Sequence, residues 1–235
     1  MIKFIFDVDG TLTPSRGLMD KKFGEWFRDF AAANDVYIVT GSDRAKTLEQ
    51  IPLVIYNEFN RAYHCSGNDV WVKSNNIRSG SLTLPQGLLL ELDKILNKSK
   101  FYVKTGKHID YRPGLVNFSI VGRGCSLQER VMYREWDEHK NERQSISNKL
   151  SKLFPHLNFQ IAGETGIDIT AKGNDKSQIL RDFKDTDVIY FFGDKCQEGG
   201  NDHEIALAVN DRENGSRVYE VEDWEHTWLK ISSLG

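Results

Sequence analysis

Two apolar runs that each end abruptly in an aspartate constrain this chain more than any other feature. The first is Ile2-Lys3-Phe4-Ile5-Phe6, followed by Asp7-Val8-Asp9-Gly10-Thr11. The second is Val188-Ile189-Tyr190-Phe191-Phe192-Gly193, followed by Asp194. Short apolar runs closed by Gly or Asp read as strands buried on both faces, the kind that parallel sheets use. Asp20 is expected to cap a helix through about Ala33, with Phe23, Trp26, Phe27 and Phe30 at helical spacing. Val36–Val39 reads as a strand stopped by Thr40-Gly41-Ser42-Asp43, and Asp43 as the cap of a helix toward Leu53. Val54–Tyr56 reads as one more strand. Strand, helix, strand, helix in that order predicts parallel pairing and a doubly wound sheet. The strand C-termini of such a sheet share the edge where ligands bind, so Asp7, Asp9 and Asp194 are expected to converge there.

The alternation is interrupted after about Asn68. Val70-Trp71-Val72 and Ser81-Leu82-Thr83-Leu84 bracket a polar turn, and Pro85 opens a helix through Leu96. Tyr102–Lys104, His108–Tyr111, Val116–Val121, Phe159–Ile161 and Ile167–Thr170 read as half-buried antiparallel strands. A charged, helix-periodic stretch occupies 126–154. The first texture returns after Lys172-Gly173: a helix from Asp175 to about Phe183, the strand before Asp194, a strand at Val218-Tyr219 and a helix from Trp224 to Ile231. The expected fold class is therefore α/β, with a mainly parallel core at 1–77 and 173–235. An inserted α+β unit with an antiparallel sheet is expected at 78–172.

Side chains at i and i+2 of a strand share a face, so Asp7 and Asp9 can act together. A carboxylate that attacks phosphorus, a second that carries the leaving group's proton, and a Mg²⁺ between them form a complete set for phosphoryl transfer. The plainer reading is an acidic turn after a strand. Hard oxygen donors from Asp7, Asp9 and Asp194 suit Mg²⁺ rather than zinc. Asp202, in Gly199-Gly200-Asn201-Asp202, either touches the metal or orients Asp194 or a lysine. A hydroxyl of Thr40 or Ser42 near a helix start can hold a phosphate oxygen; simple N-capping by Ser42 or Asp43 is the alternative. Lys176 either reaches the active edge or is one more solvated lysine. Arg112, Arg123 and Arg130 carry guanidinium forks that suit phosphate, although their spacing alone favours a solvated charged face.

A net charge of −3 gives no electrostatic reason to expect a nucleic-acid partner. Three dispersed cysteines, Cys65, Cys125 and Cys196, fit a reducing compartment. No apolar stretch approaches the ~20 residues of a bilayer span, and the start does not read as a signal peptide. A soluble cytoplasmic protein is expected.

Over essentially its whole length the chain resembles the eukaryotic-type phosphomannomutases of the haloacid dehalogenase (HAD) superfamily. The residues that carry this are Phe6–Pro14, Gly41-Ser42-Asp43, the Tyr111–Arg130 stretch and Ile167-Asp168-Ile169. Gly173-Asn174-Asp175-Lys176, Phe191–Lys195 and Gly199–Ile205 complete the set. The Asp-x-Asp-Gly-Thr start is specific only to the reaction class; the arginine stretch and the Phe-Phe-Gly-Asp run are more specific. The resemblance implies a HAD-like Rossmannoid core with a cap of the C2b type, inserted after the third strand or so. It implies Asp7 as nucleophile, Asp9 as general acid/base and Lys176 as the core lysine. Mg²⁺ would be held by Asp7, the Asp9 main chain and Asp194. Arg16, Ser42, Arg112, Arg123 and Arg130 would bind phosphate and orient sugar, and Asp168 would grip sugar hydroxyls. Thr40, Asn201 and Asp202 match less firmly. The implied reaction interconverts mannose 1- and 6-phosphates, and glucose phosphates too, with a hexose 1,6-bisphosphate as activator. A homodimer through the cap is implied as well. The chain departs from the pattern at Gly166, where serine is expected, at Thr40, at Cys65-Ser66-Gly67 and at Asn174. Gly166 and Thr40 leave room for a HAD sugar-phosphate phosphatase using the same aspartates; a sugar-phosphate-binding module without catalysis is a third reading, against which intact Asp7, Asp9 and Lys176 argue.

Overall fold

The strand that opens the chain and the strand that ends at Gly193 lie side by side. The computed structural model describes residues 2–234. Its elements begin with β1 (Ile2–Phe6), α1 (Lys21–Ala33), β2 (Asp35–Val39), α2 (Arg44–Gln50), α3 (Leu53–Tyr56) and β3 (Arg61–His64). A hairpin of β4 (Asp69–Val72) and β5 (Asn75–Ser79) follows. Then come α4 (Gln86–Lys98), β6 (Ile109–Arg112), β7 (Leu115–Ser119), α5 (Leu127–Lys140), α6 (Glu142–Leu153), β8 (Leu157–Ala162) and β9 (Gly166–Ala171). The chain ends with a 3₁₀ helix (Lys176–Asp182), β10 (Val188–Gly193), α7 (His203–Asn210), β11 (Arg217–Glu220) and α8 (Trp224–Ser232). Two compact units result: residues up to Ser79 with those from Asn174 onward, and Gly80–Gly173.

The first unit is built on a seven-stranded sheet in the order β11-β10-β1-β2-β3-β4-β5. Its first five strands pair in parallel, and the hairpin closes the edge antiparallel. β1 is buried on both faces over Phe4–Phe6, as that apolar run requires. Phe4 and Phe6 pack with Phe23, Phe27 and Ala31 of α1, while Ile5 packs on the other side with Val39, Ile189 and Phe191. Each such aromatic burial stabilises by roughly 1.5–3 kcal/mol. Asp20 caps α1 through the amides of Lys22 and Phe23, and Asp43 caps α2 through that of Lys46.

Several expected elements differ. Val54–Tyr56 is helical, not a strand: Pro52 sets the N-cap and its carbonyl accepts from Ile55 and Tyr56. The third parallel strand is Arg61–His64, whose polar ends hide it in the sequence. α2 stops at Gln50, short of Leu53. The partner of the Val70–Val72 strand is Asn75–Ser79, not Ser81–Leu84. That hairpin belongs to the core sheet, so the insertion follows β5 rather than the third strand. Tyr102–Lys104 forms no strand, and the segment after Asp175 is a 3₁₀ helix.

The inserted unit has a four-stranded antiparallel sheet in the order β6-β7-β9-β8. One face is apolar: Val116, Phe118, Ile167, Ile169 and Phe159 pack with Leu88 and Leu92 of α4, Tyr133 of α5 and Leu150 of α6. The other face carries Asp110, Asn117, Asp168 and Gln160 in one cross-strand row. The charged stretch is two helices, not one. Ser126 and Glu129 form a capping box at the start of α5, and Asn141 (φ 50°) breaks it from α6. No helix among the described residues is long and apolar enough to cross a membrane.

Candidate active site

The parallel ladder ends at Asp7 and Asp194. The amide of Asp7 donates to the Phe192 carbonyl at 2.9 Å, which brings Asp7 to the end of β10. The chain then turns, with the amides of Thr11, Leu12 and Thr13 all donating to Val8 O. Gly10 sits at φ +83°, and a Cβ there would collide with Oδ2 of Asp194. Only glycine meets both demands.

Lys176 is buried and donates to Oδ1 of Asp7 at 2.6 Å and to Oδ1 of Asp202 at 2.7 Å. Asp175 fixes the start of its helix by accepting from the Ser177 amide. Oδ2 of Asp202 accepts from the Lys195 amide at 3.3 Å. Asp7, Asp194 and Asp202 each offer an oxygen within 4.8 Å of the other two. Burial pushes the Asp7 carboxyl well above the usual range, Lys176 opposes this, and Asp202 and Asp194 add to it. Burial works against the charge of Lys176, but Asp202 and Asp7 outweigh it and raise its affinity for the proton. Asp194 is raised by burial, with Lys195 opposing at 3.6 Å. Negative charge is therefore in excess here. Oδ1 of Asp194 is also buried without a hydrogen-bond partner among the described residues. Crowded hard oxygens, one of them unpartnered, fit a divalent cation of the Mg²⁺ class. With both oxygens engaged, Asp202 serves Lys176 as counter-ion.

The carboxylate of Asp9 stands apart from this cluster. Its Oδ1 accepts from the Arg16 amide at 2.7 Å and from Nε2 of Gln50 at 3.0 Å, and its Oδ2 accepts from the Ser42 hydroxyl at 3.5 Å. Asp9 is not among the three carboxylates gathered for a cation. Gln50, buried at the end of α2, also donates to Oγ1 of Thr13 at 3.1 Å. Nothing in the sequence pointed to Gln50, because its role depends on where α2 ends. Arg16 sits at φ 57° with its residue exposed, and its link to Asp9 is through the backbone.

The Thr40–Ser42 loop is anchored from behind. Oγ1 of Thr40 accepts from the Ser42 amide at 3.0 Å. Cys65 and Ser66 donate their amides to Ser42 O and Thr40 O. Cys65, Ser66 and Gly67 all have left-handed φ, and Nε2 of Gln178 holds Ser66 O at 2.7 Å. That last bond ties the loop to the helix of Lys176. Beneath α2, buried His64 meets Oγ1 of Thr47 at 3.2 Å and the Tyr56 hydroxyl at 3.0 Å. Burial and the nearby Arg44 push the His64 ring down to about 3.

The inserted unit gathers its own polar cluster. Nε and one terminal nitrogen of Arg112 donate to Oδ2 of Asp110 at 3.0 and 2.9 Å, and Arg123 reaches the same oxygen at 3.3 Å. Arg130 pairs with Glu164 at 3.4 Å and Asp168 accepts from Nδ2 of Asn117 at 2.6 Å. Nε of Arg123 and one terminal nitrogen of Arg130 are buried without a partner among the described residues. In the core unit Asn201, one of the less firmly matched residues, likewise keeps a buried, unpartnered Oδ1. Asn117 and Glu164 were not foreseen. An asparagine in a strand or an acid in a turn carries no signal until the register shows what it faces.

The sequence matches the family model described as eukaryotic phosphomannomutase over residues 24–232. A curated phosphomannomutase of Arabidopsis thaliana is 33% identical over 210 residues, covering 86% of this chain and 85% of its own. One of Spinacia oleracea is 32% identical over 228 residues, covering 93% and 91%. Among solved structures, a HAD subclass IIB sugar phosphatase aligns with a TM-score of 0.61 at 16% identity, over 100% of this chain and 99% of that one. The last likeness is one of fold.

Proposed function

The chain belongs to the eukaryotic phosphomannomutase family, and we propose that it interconverts hexose 1-phosphates and 6-phosphates, mannose first among them, through a phosphorylated Asp7. One observation carries this reading. Asp7 and Asp9 are kept chemically distinct, the first buried and fixed by Lys176 at 2.6 Å, the second held separately by Arg16, Gln50 and Ser42.

Oδ1 of Asp7 is taken by Lys176, so Oδ2 is the attacking atom. It forms the new P–O bond in line as the P–O bond to the sugar breaks, and Asp9 delivers its proton to the departing sugar oxygen. In the return step Asp9 takes the proton of a sugar hydroxyl that attacks the acyl phosphate, restoring free Asp7. Lys176 keeps its charge beside the acyl phosphate throughout. Mg²⁺ bound by Asp7, Asp194 and the Asp9 carbonyl would neutralise charge on the transferring oxygens. A hexose 1,6-bisphosphate would load Asp7 and emerge as a monophosphate. The substrate's free hydroxyl then takes that phosphoryl group, and the new bisphosphate gives up its other one. This scheme requires a second phosphate site that accepts either end of the sugar. Arg112, Arg123 and Arg130 are the residues for it, and the unpartnered nitrogens of Arg123 and Arg130 support the assignment. Self-association belongs to the proposal too, through the inserted unit, where Leu127 and Tyr111 are exposed.

A hydrolytic reading is favoured by Thr40. Its Oγ1 accepts from the Ser42 amide, which leaves the O–H to donate toward a phosphate without any sugar being retained. One assay separates the two. Purified protein with Mg²⁺, mannose 1-phosphate and a trace of glucose 1,6-bisphosphate is followed for mannose 6-phosphate and free phosphate, with Asp7→Asn beside it. Isomer without phosphate, lost in the variant, is the expected result. Phosphate outpacing isomer would replace mutase by phosphatase, and no product in either channel would leave a binding module.

A further inference from the structure

On the polar face of the inserted sheet the arginines can only donate hydrogen bonds. A sugar ring bound there offers hydroxyls, which need acceptors. Two acceptors stand directly opposite each other on β7 and β9, Asn117 and Asp168, and both are buried. A carboxylate can only accept, so the amide end of Asn117 that meets Oδ1 of Asp168 at 2.6 Å must be Nδ2. That orientation sends Oδ1 of Asn117 the other way. There it lies buried with no hydrogen-bond partner among the described residues, a condition native proteins seldom tolerate without a ligand.

Gly166 explains how the amide comes to lie there. It shares a face with Asp168, two residues further along β9. A Cβ at Gly166 would collide with Nδ2 of Asn117 and sit 3.0 Å from its Oδ1. The side chain of Asn117 thus lies across the space that a side chain at position 166 would fill.

We infer that Asn117 is a specificity-determining residue: its Oδ1 accepts a hydrogen bond from one ring hydroxyl of a hexose phosphate, beside Asp168 and in the space that Gly166 leaves open. The inference rests on the proposed activity toward hexose phosphates but not on whether the phosphoryl group is returned to sugar or lost to water. Arginines hold phosphate, and the Asn117–Asp168 pair reads which hydroxyls the ring carries. A site built around a hydroxyl rejects the analogue that lacks it, because the acceptor is then left unpaired.

The test compares mannose 1-phosphate with its singly deoxygenated analogues by kcat/KM, counting isomer and free phosphate together. Wild type is expected to penalise the loss of one particular hydroxyl by about tenfold or more. In Asn117→Leu, of similar size but with no acceptor, that single penalty should fall to near one while penalties at the other hydroxyls persist. Gly166→Ala, which displaces the amide without removing it, should show the same selective loss and guards against misfolding of the first variant. A merely structural Asn117 would lower rates for all analogues alike. If both variants keep every penalty of the wild type, Asn117 is not the reader, and the hexose-phosphate activity stands without it. If the wild type turns over no hexose phosphate, the proposed function and this inference fall together.

Discussion

Lys176 and Arg130 are both buried cations, and the protein treats them oppositely. Lys176 is doubly paired, with carboxylates at 2.6 and 2.7 Å. Arg130 meets Glu164 only at 3.4 Å and keeps a terminal nitrogen buried without a partner. The same contrast runs through their surroundings. At the core edge Lys176 answers Asp7 and Asp202, Lys195 answers Asp194 at 3.6 Å, and what is left over is negative charge and the unpartnered Oδ1 of Asp194. On the inserted sheet the leftovers are donors of Arg123 and Arg130 and an acceptor of Asn117. The core edge is complete but for a cation, whereas the inserted face is complete only with a ligand. On the proposed function, the difference separates a region that performs the reaction from a region that chooses its substrate.

The largest effect that can break this division is at Asp7. Asp7→Asn should abolish isomer and phosphate release together, by at least about 10⁴-fold. Its melting temperature should hold, because Lys176 retains Asp202. Activity within tenfold of wild type would show that the core edge is not where the bond is made.

The next effect sharpens the division from the other side. Arg130→Met should lower kcat/KM for hexose phosphates by about 10²-fold, the scale of a lost charge-assisted contact. Glu164 keeps Arg134 at 3.3 Å, so folding should survive. Labelling of Asp7 by a small donor such as acetyl phosphate should be unchanged. If labelling falls equally, the inserted face takes part in the chemistry and the contrast fails.

These two regions were also unequally legible in the sequence. Both apolar strands that end in aspartate stand out because burial on both faces leaves an unbroken apolar signature, and their convergence follows from parallel pairing alone. Lys176 could be placed at the active edge and Asp202 beside a lysine only as alternatives, since residues so far apart in sequence meet only through the topology. Arg61–His64 escaped as a strand because Arg61 and His64 are polar, the first paired with Asp182 and the second buried on Thr47 and Tyr56. Val54–Tyr56 misled for the converse reason: an apolar triplet after Pro52 suits a strand by composition and a single helical turn by capping. The break at Asn141 needs a left-handed residue that asparagine permits but does not announce. In the inserted unit the arginines were visible, while Asn117 and Glu164 depend on register and turn.

A third test asks whether the core edge is held from behind by neutral groups. His64 is neutral in the folded state, pushed down to about 3 by burial and Arg44, with Asp43 opposing. In the unfolded chain it binds a proton below about 6.5. Stability is therefore lost as pH falls from about 6.5 toward 3, at roughly 1.4 kcal/mol per unit, or about 2 kcal/mol by pH 5. His64→Gln should flatten that part of the pH dependence in denaturant unfolding, whatever it does at pH 7. An unchanged slope between pH 7 and 5 would show that other groups set the acid sensitivity of the core.

The smallest expected effect lies inside the core edge and asks how finely its two aspartates are kept apart. Gln50 gives Asp9 one of the two hydrogen bonds on Oδ1, and it bonds Thr13 in the same turn. In Gln50→Leu the carboxylate keeps the Arg16 amide and the Ser42 hydroxyl, so it is loosened rather than released. A proton donor that samples more rotamers is in line less often, and kcat should fall about tenfold with KM unchanged. Binding of beryllium fluoride with Mg²⁺, which tests the Asp7 side alone, should stay at the wild-type level. Loss of both would mean that Gln50 holds the whole turn, and the separation between the nucleophile and the acid would be one of position rather than of support.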